Sequence, residues 1–281
     1  MSEQAYLEIA REAARSAGRM IREETKRPHT VSRKHGFDFV TEVDRRSEEI
    51  IRGIILSAFP DHGFFGEEQV SSDSRPEDQI LKEAGEYLWA VDALDGTTNF
   101  IRGIPQYAVS VALVRRGQIL AGAVYDPNRD ELFSALRGHG AELNGRPIRI
   151  SGTESLSDAI LSFGFPASDM EKRRQTVQRF NLLSPLLGSL RVFNCASLLL
   201  CYTACGRIDL TFEQGIHLWD MAAGLLLIEE AGGVALDLGG RPLTVFAREN
   251  LAGPEPLVRQ LLAHTLSSGK KPGEADPENV R

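Results

Sequence analysis

The sequence has no apolar run long enough to cross a bilayer. The longest, Met221 to Ile228, falls far short of the roughly 20 residues that a spanning helix needs. It has no cationic, apolar leader: Met-Ser-Glu-Gln opens a polar, acidic stretch, so a cytoplasmic protein is expected. Cysteine is scarce. Cys195, Cys201 and Cys205 fall in one short window, odd in number and without CxxC spacing. That excludes a disulfide framework and a zinc knuckle, and leaves small packing residues in a reducing compartment. Positive charge is in deficit: 32 Lys and Arg against 39 Asp and Glu give a net charge of -7. Such a surface draws in neither nucleic acid nor anionic membrane, so an anionic substrate needs a local cation. No internal repeat or linker divides the chain. The 281 residues predict a single domain over 1–267, with parts at about 1–150 and 151–267, and a disordered Gly/Pro/charge-rich tail over 268–281.

What is present is a mixture of helical and strand periodicities. Leu7, Ala10, Ala14, Ala17 and Ile21 predict an amphipathic helix over 4–27, and a second is expected from about Asp44, with Ile50, Ile51, Ile54 and Ile55 on its apolar side. Asp61-His62-Gly63 marks a turn, and 70–86 reads as loop with one short helix. Strands are expected at Leu88–Val91, Ala108–Val114, Ile119–Val124, Glu131–Leu136, Ala141–Ile150 with a turn at Asn144-Gly145, Ile160–Phe165, near Leu190, and Ile208–Phe212. Helices are expected over 169–186, through the cysteines, and from about Leu218 to Glu230, which Gly232-Gly233 ends. The pattern fits a layered α/β (α+β) architecture.

Three acidic motifs carry the chemistry. In Trp89–Phe100, WAVDALDGTTNF, a strand runs into Asp92, and Asp95 follows before Gly96 and two threonines. Two carboxylates three apart in a turn can converge on one point, and a helix start offers unpaired amides to a phosphate. Hard oxygen ligands and amide donors are what metal-assisted phosphoryl transfer requires. Asp95 as a helix cap and Asp92 as a turn former is the plain alternative. Gly66-Glu67-Glu68 follows the apolar pair Phe64-Phe65, as if a strand delivered two acids to its end; a solvated loop is the alternative. In Trp219-Asp220-Met221-Ala222-Ala223-Gly224, Asp220 opens an apolar helix, as a ligand or a cap. An EF-hand is excluded because 92–100 lacks its alternating ligands and distal Glu.

In this order the motifs resemble the inositol monophosphatase family. Weaker matches extend the resemblance over most of 1–265: Tyr125-Asp126-Pro127 with Glu131-Leu132-Phe133, Gly140-Ala141 with Asn144-Gly145, Gly164-Phe165-Pro166, and Ala231-Gly232-Gly233. The resemblance implies an αβαβα five-layer sandwich, shared with fructose-1,6-bisphosphatase. It also implies Mg²⁺-dependent, Li⁺-sensitive hydrolysis of a phosphate monoester with two or three ions, and a homodimer. Glu67, Asp92, the Leu94 carbonyl, Asp95 and Asp220 match metal-ligand positions, with Asp92 bridging two ions. Gly96 and Thr97 match the amides that hold phosphate. Thr97, Glu67 and Asp44, the last closing the pattern Asp38-Phe39-Val40-Thr41-Glu42-Val43-Asp44, match the group that activates the attacking water.

Substrate contacts carried over in the same way are Asp95, Asn194, Ala196, Glu213 and Asp220, and the substrate expected is a phosphorylated polyol or sugar, inositol monophosphate first. Glu213 is expected just after a strand. Thr98-Asn99 favours the monophosphatase branch over the nucleotide bisphosphatases, which carry Lys and an acidic residue there. Two departures bear on preference. Ala93 replaces the usual Pro, and Phe193-Asn194-Cys195 stands where the family has a Gly-Ser or Gly-Thr step. His217 is expected to pack beside the site. The alternatives are fructose-1,6-bisphosphatase, a 3′(2′),5′-bisphosphate nucleotidase, or a non-catalytic regulator on the same fold.

Overall fold

The computed structural model describes residues 2–33, 39–73, 75–166 and 169–267. Asp38 and the expected tail, 268–281, lie outside the described residues. Helix α1 (Glu3–Glu24) buries the predicted stripe of Leu7, Ala10, Ala14, Ala17 and Ile21. A hairpin of β1 (Val31–Arg33) and β2 (Phe39–Thr41) leads into α2 (Glu42–Ala58). Next come β3 (Gly63–Gly66), α3 (Glu67–Ser72) and α4 (Glu77–Glu83), so 70–86 holds more helix than expected.

Strand β4 (Tyr87–Asp95) and the short helix α5 (Thr97–Ile101) precede a meander: β5 (Ala108–Arg115), β6 (Gln118–Asp126), β7 (Glu131–Leu136), β8 (Ala141–Leu143) and β9 (Arg146–Pro147). The last of these ends before the expected Ile150. With β3 they form a seven-stranded sheet in sequence order, antiparallel except for β3 with β4.

The remaining elements are β10 (Ile160–Phe163), α6 (Met170–Leu183), β11 (Ser189–Arg191), α7 (Ala196–Ala204), β12 (Leu210–Gln214), α8 (Leu218–Glu230), β13 (Val234–Leu236), β14 (Glu249–Gly253) and α9 (Glu255–Ser267). Their five strands form a mixed sheet in the order β11-β10-β12-β14-β13.

Three apolar clusters stack these parts. Residues of α1 and α2 pack on one face of the seven-stranded sheet through Trp89, Val91 and Val111. The other face, through Ala90, Ala112 and Phe133, meets α7 and α8, whose far side touches the second sheet at Ala252. Outside that sheet, Leu183 of α6 and Leu257, Val258 and Leu261 of α9 cover Phe163, Phe212 and Leu251. The order is α-β-α-β-α, the expected five-layer sandwich. Residues 198–204 of α7 and 221–228 of α8 are all buried. A helix enclosed between two sheets is apolar on every side, which explains the run Met221–Ile228. Among the described residues no helix is long and apolar enough to cross a membrane.

Candidate active site

The acids of β4 converge through a defect in the strand. Asp92 pairs with Ser110 and Asp95 with Ala108, so β4 carries one residue more than its partner between them. In an unbroken strand, residues three apart point to opposite faces. Here Ala93 and Leu94 both join the cluster beneath α1 and α2. The extra residue resets the alternation and turns Asp92 and Asp95 to the same side, toward α7 and α8. Gly96 then takes φ +90°, and a Cβ there would lie 2.8 Å from the Gln106 carbonyl. Gly96→Ala is expected to cost about 1–3 kcal/mol of unfolding free energy, measured by denaturant titration; an unchanged midpoint would contradict the turn's strain.

Protein donors engage one oxygen of each central carboxylate. Asp92 Oδ1 accepts the Leu94 amide at 3.0 Å. Asp220, in the first turn of α8, accepts the His217 amide on Oδ2 at 2.6 Å. Asp95 Oδ2 accepts three donors: the Ser197 amide at 2.7 Å, Ser197 Oγ at 2.6 Å and Cys195 Sγ at 3.2 Å. Cys195 and Ser197, at the start of α7, are site residues that sequence reading missed. Cys195 had looked like packing only, and Ser197 stood out in no motif.

These acids are held in common protonation trouble. Burial raises Asp92 well above the carboxylate range, and the charges of Glu67, Asp95 and Asp220 add to it. Asp95 is raised by burial, against the lowering bonds from Ser197 and Cys195. Asp220 is pushed up to about 7, again by burial, with His217 pulling the other way and Asp95 and Glu67 adding to the rise. Glu67 opens α3 at the end of β3, half-buried, so a strand does deliver the acidic pair to its end, and the pair goes on to begin a helix.

Asp44 serves as both cap and site residue. Its Oδ2 accepts the Thr41 amide and hydroxyl at the start of α2, the helix cap that sequence alone suggests. Its Oδ1 faces Thr97 Oγ1 at 2.9 Å, which lies at the same distance from the Leu94 carbonyl. The one hydroxyl proton goes to either acceptor, which leaves the Thr97 oxygen able to accept from water. Asp44 sits up at about 6, by burial, against the bonds from Thr41 and Thr97.

The other expected contacts gather at the same end. Glu213 lies inside β12, not after it, and is buried. Burial, then the charges of Asp95 and Asp220, raises it well above its usual range, and its Oε1 is buried without a partner among the described residues. A Cβ on Gly164 would lie 1.4 Å from Glu213 Oε2, so the glycine leaves that carboxylate its place. Ala196 is the first residue of α7. Asn194 has φ +52°, a left-handed conformation that Asn tolerates better than most residues with a side chain. Asn99 Nδ2, at 2.8 Å from both the Phe193 and Gln106 carbonyls, ties this strand end to α5. His217 packs as expected: its ring stacks on Trp219 with centroids 4.6 Å apart, and Nδ1 meets Glu77 Oε2 at 2.7 Å.

Among the described residues, no three His, Cys, Asp or Glu side chains already close around one point as a finished cage. The donor set still fits a hard divalent cation. It is made of carboxylates and a carbonyl, the acids are buried and mutually repelling, and the second oxygens of Asp92, Asp95 and Asp220 take no protein hydrogen bond among the described residues.

Layering and site together define the α/β fold of the inositol monophosphatase and fructose-1,6-bisphosphatase type. Solved structures agree. An extragenic suppressor protein suhB from Bartonella henselae superposes with a TM-score of 0.85 at 34% identity, covering 96% of this chain and 100% of that one. An inositol monophosphatase from Anabaena gives 0.80 at 35% identity over 94% and 96%. The model of the inositol monophosphatase family matches residues 2–271, and the chain belongs to that family. Similar sequences include a Nus factor SuhB of Pseudomonas aeruginosa, 43% identical over 84% of this chain and 87% of its own length, and an inositol-1-monophosphatase of Rhizobium meliloti, 39% identical over 93% and 96%.

Proposed function

We propose that this chain is a Mg²⁺-dependent phosphatase that hydrolyses inositol monophosphate or a closely similar polyol phosphate. The observation that carries the reading is the bulged strand that turns Asp92 and Asp95 toward Asp220 and Glu67. Glu67, Asp92, the Leu94 carbonyl, Asp95 and Asp220 would hold two or three ions. When bound, such cations make water more acidic and stabilise charge on a departing oxygen. The residues do the rest. Thr97, donating to Asp44, presents its oxygen to orient the attacking water together with Glu67. The amides of Gly96 and Thr97 face the phosphate. The unpartnered Glu213 oxygen accepts polyol hydroxyls, with Asn194 and Ala196 beside it. Inhibition by Li⁺, a homodimer and a reducing cytoplasm belong to the same reading; the three cysteines are free thiols.

Phosphate release with Mg²⁺ from myo-inositol 1-phosphate, fructose 1,6-bisphosphate, adenosine 3′,5′-bisphosphate and NADP tests it. The first is expected to be fastest, and faster release from a nucleotide or sugar bisphosphate would overturn the substrate. Glu213→Gln is expected to raise KM for inositol phosphate about tenfold, the loss of one charged hydrogen bond. An unchanged KM removes Glu213 from the polyol contacts. A second reading, a regulatory role on the same fold, is supported by relatives that bear the name Nus factor SuhB. Absence of phosphate release from every ester, with the fold intact, would favour it.

A further inference from the structure

The three segments that carry the candidate site share one neighbour. On α2, Asp44, Ser47 and Glu48 stand at spacings of three and four, on one face of the helix. All three are buried. Asp44 reaches Thr97, at the start of α5. Ser47 Oγ donates to the Ala93 carbonyl at 2.8 Å, inside the bulge between Asp92 and Asp95. Glu48 uses both oxygens: Oε2 accepts the Glu68 amide at 2.8 Å and Oε1 the Gln69 amide at 3.0 Å. Those are the first-turn amides of α3, the helix that Glu67 opens.

We propose that Glu48 is a positioning residue for metal binding: its two-point grip on the α3 start sets Glu67 against Asp92, while Ser47 fixes the bulge from the same face. The inference rests on the metal-dependent reading above. The physical argument concerns repulsion. Glu67 is half-buried at the head of α3, Asp92 and Asp95 of β4 are buried as well, and like charges held together out of water repel. Without a restraint, the short helix α3 would relax away from the acidic centre. A buried carboxylate bonded to two helix-start amides opposes that, because those amides have no partners within α3. Asp44 belongs to the chemistry itself; Glu48 reaches the site through its two bonds to the α3 backbone.

The test is direct titration of the metal-free chain with Mn²⁺, by calorimetry and by the electron paramagnetic resonance of free Mn²⁺. Glu48→Gln keeps the shape and loses the charge. It is expected to weaken Mn²⁺ binding at least tenfold, and to raise the Mg²⁺ concentration for half-maximal velocity by a similar factor, with KM for inositol phosphate at saturating metal unchanged. The exposed neighbour substitution Glu49→Gln is expected to bind Mn²⁺ as the unaltered chain does. A merely structural role for Glu48 would lower the melting temperature and leave the Mn²⁺ titration unmoved, and that result overturns the proposal. If Glu48→Gln fails to fold, Glu48→Asp, one methylene shorter, must show the same weakened titration, and wild-type binding by it refutes the grip. Failure of the unaltered chain to bind Mn²⁺ at all would instead strike the metal-dependent reading.

Discussion

Asp92→Asn is expected to slow phosphate release by at least about a thousandfold, roughly 4 kcal/mol of barrier, while making the metal-free chain more stable. The two effects have one cause. Asp92 is fully enclosed, and burial together with Glu67, Asp95 and Asp220 opposes its charge. Asn keeps the acceptor for the Leu94 amide and removes that charge. The fold therefore relaxes, by about 1–3 kcal/mol, as the position loses the carboxylate that would hold a cation. Thermal melting in chelator and phosphate release in Mg²⁺ measure the two sides. Asp220→Asn should behave in the same way, since it too keeps an acceptor for the His217 amide. Full activity in either variant would refute the ligand assignment.

Removing divalent ions from the unaltered chain should make its stability fall as pH rises from about 4 to about 7, and restoring Mg²⁺ or Mn²⁺ should cancel the loss. Asp44 is held up to about 6 and Asp220 to about 7, burial being the first cause in each. Asp92, Asp95 and Glu213 are raised as well, again by burial first. In the unfolded chain such acids ionise near pH 4. Between those limits the folded state binds more protons, so stability is fully present below about pH 4 and drains away as each folded value is passed. Exposed acids paired with arginine act in the opposite sense but at lower pH: Asp73 is held at about 2 by its bonds to Arg75, and Glu86 is lowered by its bond to Arg115. Ligation needs deprotonated acids, so cations stabilise most where the metal-free chain is weakest. Denaturation in chelator at pH 5 and pH 8 decides the matter; greater metal-free stability at pH 8 would contradict the charge-repulsion account.

Much of this site was legible in the sequence because its acids lie in short strings where strand turns to helix. The helix from about Leu218 to Glu230 was legible too, since an apolar run bounded by an acid-bearing first turn and two glycines has few other readings. The end of the chain was not. β13 has only three residues, and β14, Glu-Asn-Leu-Ala-Gly, has no β-branched residue and no alternation that reads as strand. Its place between β12 and β13 comes from tertiary pairing, including Glu213 with Asn250, which local pattern does not encode. For α9 the signal was there: Leu257, Val258, Leu261 and Leu262 keep helical spacing and face the outer core. The donors to Asp95 were out of reach for a different reason. Ser197 lies 102 residues away, and nothing near it advertises a carboxylate. Glu213 was misplaced by one strand boundary: expected just after the strand, it lies inside β12 and is buried.

The bulge in β4 makes the site a matter of parity. Every acid could be retained and the centre still lost, because Asp92 and Asp95 are an odd three residues apart: a β4 that kept both Ala93 and Leu94 but paired without the bulge would follow plain alternation and swing Asp95 across the sheet toward α1 and α2. A tally of acidic residues would show nothing missing. Between Asp92 and Asp95, then, the odd spacing and the one-residue bulge must occur together, since either without the other puts the two acids on opposite faces.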